Sequence, residues 1–219
     1  MNELLALSLL GGILALDGTS VGQFMISRPI VAGALAGTLS GALAEGFLVG
    51  MLLEIYLLVS FPVGGSRFPE GGPATVVAVA VAVGSDHPGA VALGVTLGLV
   101  WGQVAGFSVT ALRTINARLL PDPASGSVTR QEVVVGHLGA VVLDFLRGFV
   151  VTGLGVWVGW NARLAAAWWS LSAADTRGFL LVGGAVSLGI LIRGYGGLRR
   201  RGLLFGTGLV LGALGGVFL

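Results

Sequence analysis

Residues 88–112, PGAVALGVTLGLVWGQVAGFSVTAL, run without a charged side chain for longer than the roughly 20 residues that carry a helix across hydrocarbon. On either side the same pattern recurs in shorter form, over 29–44, 71–85, 148–162, 178–192 and 202–219. Several of these fall short of a full crossing. In lipid every backbone N–H and C=O needs an internal partner, so apolar segments broken by Gly, Pro and a charge survive as half-helices or re-entrant hairpins buried in protein. Transporters use such segments to build their sites. Composition agrees: the 219 residues are 55% hydrophobic and 10% charged, against about 25% charged in a soluble domain. A soluble enzyme is excluded. All 12 basic residues are arginine, the net charge is only +2, and no basic run offers a nucleic-acid surface. With no cysteine and two histidines, the chain offers no thiolate, disulfide or Cys-ligated metal.

The sequence predicts an all-α polytopic membrane protein, one integral membrane transport domain over 1–219, with about seven to nine membrane segments. Residues 4–16, LLALSLLGGILAL, follow Glu3 instead of a basic flank and lack a small-x-small cleavage site, so they read as a retained first segment. The alternating TVVAVAVAVG of 75–84 has no companion strands to close a barrel and reads as a short helix. Thr129 and Glu132 form a T-x-x-E capping box ahead of VVVGHLGAVVL. Arg113, Arg118 and Arg130 in one loop, and Arg193 with Arg199–Arg201 in another, place both loops in the cytoplasm by the positive-inside rule. The helix leaving near Glu132 then exits near Trp160 on the far side, with Trp157, Trp160, Trp168 and Trp169 at headgroup depth.

Gly33, Gly37 and Gly41 form one four-residue-spaced strip and Gly208, Gly212 and Gly216 another, each a surface for close helix approach. Chemistry has to come from the few polar groups inside apolar runs. Glu54, in GFLVGMLLEIYLLVSF, is the sharpest, because a mid-membrane carboxylate costs several kcal/mol (about 2.5–3.5 on insertion scales) and marks an ion or substrate pathway. Its structural alternative is a pair with Arg28 or Arg67. Asp144 and Arg147 stand three apart and read as an ion pair on one helix face. His137 reads as a hydrogen-bonded interior residue. Gly18-Thr19-Ser20-Val21-Gly22 fits G-x-S-x-G, but no strand, sheet or triad order accompanies it, and the P-loop, H-E-x-x-H and G-x-G-x-x-G motifs are absent.

The stretch LDGTSVGQFMISRPIVAGALAGTLSGALAEGFLVGMLLEIYLLVSFPVGGSRFPEGGPA, 16–74, resembles the opening of the membrane-spanning IIC subunit of the mannose/fructose/sorbose family of the bacterial phosphotransferase system. The likeness rests on Gln23-Phe24 with Ser27-Arg28-Pro29 before a Gly-rich segment, a Gly…Leu-Leu-Glu pattern ending at Glu54, and a Pro-Val-Gly loop followed by Pro69-Glu70. Gly102-Gln103-Val104 and Leu112-Arg113-Thr114-Ile115-Asn116 are similar as well. The chain departs from the family at Ala42, where an acid is common, and at Glu70, where aspartate is.

The resemblance implies a sugar-conducting subunit in the bacterial inner membrane, working with a IID membrane subunit. Cytoplasmic IIA and IIB subunits would carry the phosphoryl group, leaving this chain no catalytic residue, metal or cofactor. A homo-oligomer of the IIC/IID complex is expected. Gln23, Glu54, Ser66 and Glu70 are the candidate binding residues for a hexose-like sugar near the midplane, with Phe24, Phe61 or Phe68 covering its apolar face. The alternative is a non-transporting subunit of the same fold, a sugar sensor or assembly scaffold; transport requires the four polar residues to converge on a water-accessible cavity.

Overall fold

The computed structural model describes residues 2–58, 60, 65–83, 89–118, 128–165 and 172–194, together with Gly202, Leu203, Gly206, Thr207 and Val210. Among them are seven helices: α1 (Asn2–Thr19), α2 (Pro29–Leu39), α3 (Leu43–Leu57), α4 (Gly71–Ala82), α5 (Ala90–Asn116), α6 (Arg130–Ala165) and α7 (Ala173–Gly194). The all-α membrane architecture read from the sequence is the one observed, short helices included. Trp168, Trp169, Arg199–Arg201 and most of 202–219, with Gly208, Gly212 and Gly216, lie outside the described residues.

Two helices, α5 and Arg130–Arg163 within α6, are long and apolar enough to cross a bilayer. The 36 residues of α6 rise about 54 Å at 1.5 Å each, more than the roughly 30 Å of hydrocarbon. Its start is set by the expected capping box. Thr129 N donates to Glu132 Oε2 at 2.9 Å, and Glu132 N donates to Thr129 Oγ1 at 3.3 Å. The first turns of α6 then project past their neighbours, which leaves Gln131 to Val135 and His137 exposed. His137 is therefore not the interior residue expected.

α1 lies antiparallel on α6: Ser8 faces Gly153, Gly11 faces Thr152, Ala15 faces Gly148, and Thr19 reaches Asp144. The apolar segment 4–16 is thus packed into the bundle. At its centre stands α4, in which every residue from Gly72 to Ala82 is buried. Its glycine-bearing neighbours come close: Gly94, Gly98 and Gly102 of α5 approach Ala78 and Ala74, while Gly155 and Gly159 of α6 approach Val77 and Val81. Trp101 on α5 donates its indole N–H to the Val151 carbonyl of α6 at 3.1 Å, tying the two long helices together. Arg163, near the end of α6, donates to the Val83 carbonyl at 2.7 Å and so caps the C-terminal end of α4 with a cation.

The sequence stretch 29–57 folds as a hairpin of two short helices. α2 and α3 run antiparallel with Gly33 and Gly37 against Gly46 and Gly50, so close that a methyl on Gly37 would lie 2.7 Å from the Ala42 carbonyl oxygen. The strip expected to include Gly41 ends one turn earlier. Gly41, at φ +72°, closes α2 instead, with Ala42 N donating to Gly37 O at 2.7 Å and Gly41 N to Thr38 O at 3.2 Å. That 6→1 and 5→2 pair is a Schellman stop, which needs the left-handed conformation a glycine adopts without strain. Pro29 and Leu57 both lie beside Gly71, so α2 leaves the level of α4's first turn and α3 returns to it. Four chain ends therefore meet at one depth: the end of α1, the start of α2, the end of α3 and the start of α4.

Candidate functional site

A cavity of about 270 Å³ opens where those four ends meet, just under the roughly 300–1,000 Å³ of small-molecule pockets. Leu14, Asp17 and Gly18 of α1 form one wall, Gln23, Met25, Ser27 and Arg28 of the 20–28 loop another, and Phe68 to Gly72 a third. Behind its Glu70 wall, Asp144 stands 14 residues after the start of α6 and 21 before its end, about 21 Å and 32 Å along the axis.

Asp17 builds the loop wall. Only 4% exposed, it accepts from Phe24 N at 2.6 Å and from Ser27 N at 2.8 Å, one bond on each oxygen. Around these staples the backbone turns through three left-handed residues, Gly22 at φ +85° and Gln23 at +52° before the first and Met25 at +66° between the two. Two non-glycine residues held there store strain that a functional loop retains and an ordinary turn avoids. The result places Gln23 on the cavity wall and leaves Phe24 78% exposed.

Glu54 reaches the site from behind. Its carboxylate forms an ion pair with Arg28 and also accepts from Ile30 N at 3.3 Å, at the start of α2. One acid from α3 thus answers both a cation and the positive end of a half-helix, which offsets the cost of its depth. Arg28 is the member of the pair that lines the cavity.

The third wall carries a buried charge cluster. Glu70, 3% exposed, binds Arg147 through both oxygens, Nη1 to Oε2 and Nη2 to Oε1, each at 2.7 Å. Arg147 also donates to Asp144 Oδ1 and to Ser108 Oγ, both at 2.9 Å. The second oxygen of Asp144 accepts from Thr19 Oγ1 at 2.5 Å and from Ser20 Oγ. The expected Asp144–Arg147 pair is present, and its cation also serves Glu70.

Of the four expected binding residues, Gln23 and Glu70 line the cavity and Glu54 stands one residue behind it. Ser66 does not join them. It is exposed on the 65–70 segment that runs along α5, where its carbonyl accepts from Arg113 Nη1 at 3.0 Å. Among the expected aromatics, Phe68 lines the cavity, with Arg113 over its outer face at 5.8 Å, and Phe61 lies outside the described residues. Asp17, Ser27 and Arg147 were not anticipated as parts of the site. Asp17 closes an apolar run and so reads as a helix boundary, and Arg147 has a ready partner three residues away. Its cost at mid-membrane, the same argument applied to Glu54, was the available signal.

The family model described as PTS system sorbose-specific IIC component matches residues 2–192. Curated protein sequences give no match. Among solved structures, a chain described only as a membrane protein superposes with a TM-score of 0.74 at 17% identity, covering 100% of this chain and 94% of the other. A chain from the cryo-electron microscopy structure of the mannose transporter ManYZ with microcin E492 (MceA) gives 0.62 at 18% identity, covering 100% and 93%. At these identities the structures share the fold.

Proposed function

Because the chain belongs to the sorbose-specific IIC family of the phosphotransferase system, we propose that it is the sugar-translocating membrane subunit of a mannose/fructose/sorbose-type system in a bacterial inner membrane. A hexose-like sugar binds in the mid-depth cavity and passes inward, where a IIB subunit, charged by IIA, phosphorylates it. A IID subunit completes the membrane complex, and the 219 residues act as one transport domain. Phosphoryl chemistry belongs to the partners. The cytoplasmic side is the one holding Arg113, Arg118 and Arg130.

The observation that carries this reading is the cavity. A sugar's hydroxyls each want a donor and an acceptor, and a buried hydroxyl left unpaired weakens binding by roughly 1–3 kcal/mol. Gln23, Ser27, Arg28 and Glu70 supply both kinds of group around one space, and Phe68 and Leu14 supply apolar cover. Two half-helices start there, the arrangement by which discontinuous transporter helices meet their substrates.

The test is uptake of labelled mannose and L-sorbose into vesicles carrying the chain with its IIA, IIB and IID partners. Uptake by the parent is expected, with Glu54→Gln at least tenfold slower and its membrane insertion unchanged, because the charge opposite Arg28 is lost while the shape is kept. Failure of the parent to take up any hexose would overturn the proposal.

A further inference from the structure

We propose that Arg147 is a positioning residue for the sugar site: it draws Glu70 off the start of α4, so that the carboxylate accepts from one sugar hydroxyl and the freed backbone N–H groups of Gly71 and Gly72 donate to its neighbour. The inference rests on the transport reading and adds to it a ligand chemistry, a pair of adjacent hydroxyls.

Glu70 is the N-cap residue of α4. A carboxylate near that position is favoured by the first-turn N–H groups and by the helix dipole. Here no side chain caps α4. Both Glu70 oxygens are turned to the fork of Arg147, and a carboxylate oxygen has two lone-pair sites, so each keeps one for another donor. Gly71 and Gly72 line the cavity next to it, and Pro73, which follows, has no N–H to offer. Glu70, Gly71 and Gly72 thus stand side by side on one wall.

Arg147 is suited to hold that arrangement because it is itself fixed by two other side chains. Asp144 and Ser108 grip it from α6 and α5, and Asp144 is gripped in turn by Thr19 and Ser20 at the end of α1. Its side chain is 8% exposed, and it is not among the residues lining the cavity. Whatever it does to a ligand passes through Glu70.

The experiment is a double-mutant cycle on sugar affinity, read by calorimetry with mannose and L-sorbose on the complex assembled with its partners. Arg147→Lys keeps the charge and loses the planar fork. It should weaken binding about tenfold, raising the KM of uptake while the maximal rate changes less than twofold. In a Glu70→Gln background, where one cation still faces one carboxylate, the same substitution should weaken binding by less than twofold. Ser108→Ala, which disturbs Arg147 without touching any charge, should show a smaller loss that vanishes in the same background and serves if Arg147→Lys fails to assemble. A full tenfold loss from Arg147→Lys, or a full Ser108→Ala loss, in the Glu70→Gln background overturns the proposal, since the arginine then acts on the sugar or on the whole fold. A parent complex that binds no hexose overturns the transport reading and this proposal together; additivity in a parent that does bind overturns this proposal alone.

Discussion

Glu54 shows what a single residue in an apolar run discloses. Its cost in hydrocarbon is plain from GFLVGMLLEIYLLVSF, and of the two partners its structural alternative offers, Arg28 and Arg67, the one observed is Arg28, 26 residues earlier. Arg147 is the converse. Its neighbour Asp144 was legible at helical spacing, whereas Glu70 meets it only because α4 and α6 pack side by side. That second partner, 77 residues away, is what the sequence withholds. Gln23 carries the clearest prediction at this scale, since it is exposed to the cavity and lies at φ +52°, a backbone conformation that asparagine tolerates better than most residues. Gln23→Asn shortens the amide by one methylene and keeps the loop. Sugar binding measured by calorimetry should weaken about two- to tenfold, the loss of one hydrogen bond worth roughly 0.5–1.5 kcal/mol, with thermal stability in detergent unchanged.

At the scale of elements, the parts with local causes were readable. The Thr129–Glu132 box starts α6 where its residues say it should. TVVAVAVAVG alternates like a strand, yet its residues 75–82 belong to a helix that is buried all round, so no helical face had to appear in its pattern. The α2–α3 hairpin was legible as short segments rich in glycine, though not in which glycines pack: Gly41 has the spacing of the strip and the job of a turn. Gly37→Leu tests that packing. Its side chain would have to displace the backbone of Ala42 and Gly46, at a cost above about 3 kcal/mol. The expected outcome is loss of the folded monodisperse species in detergent and of co-purification with the partner subunit. An unchanged elution profile would place that face toward lipid.

For the whole molecule, apolar composition and broken segments gave membrane helices and their shortness, and the resemblance gave the family. Neither gave the meeting of four chain ends at one depth, because that depends on α1 and α6 crossing antiparallel and on α2 and α4 both starting at the same level. The central claim is that this meeting place is a sugar site reached from water. The chain has no cysteine, so one introduced thiol reports alone. The direct measurement is the rate at which a membrane-impermeant maleimide labels Ser27→Cys in the assembled complex, with and without saturating mannose or L-sorbose, beside Ser66→Cys as a control off the cavity. The account predicts that sugar slows labelling at position 27 at least fivefold and leaves position 66 unaffected. Labelling at position 27 at one rate, whatever hexose is present, would contradict it.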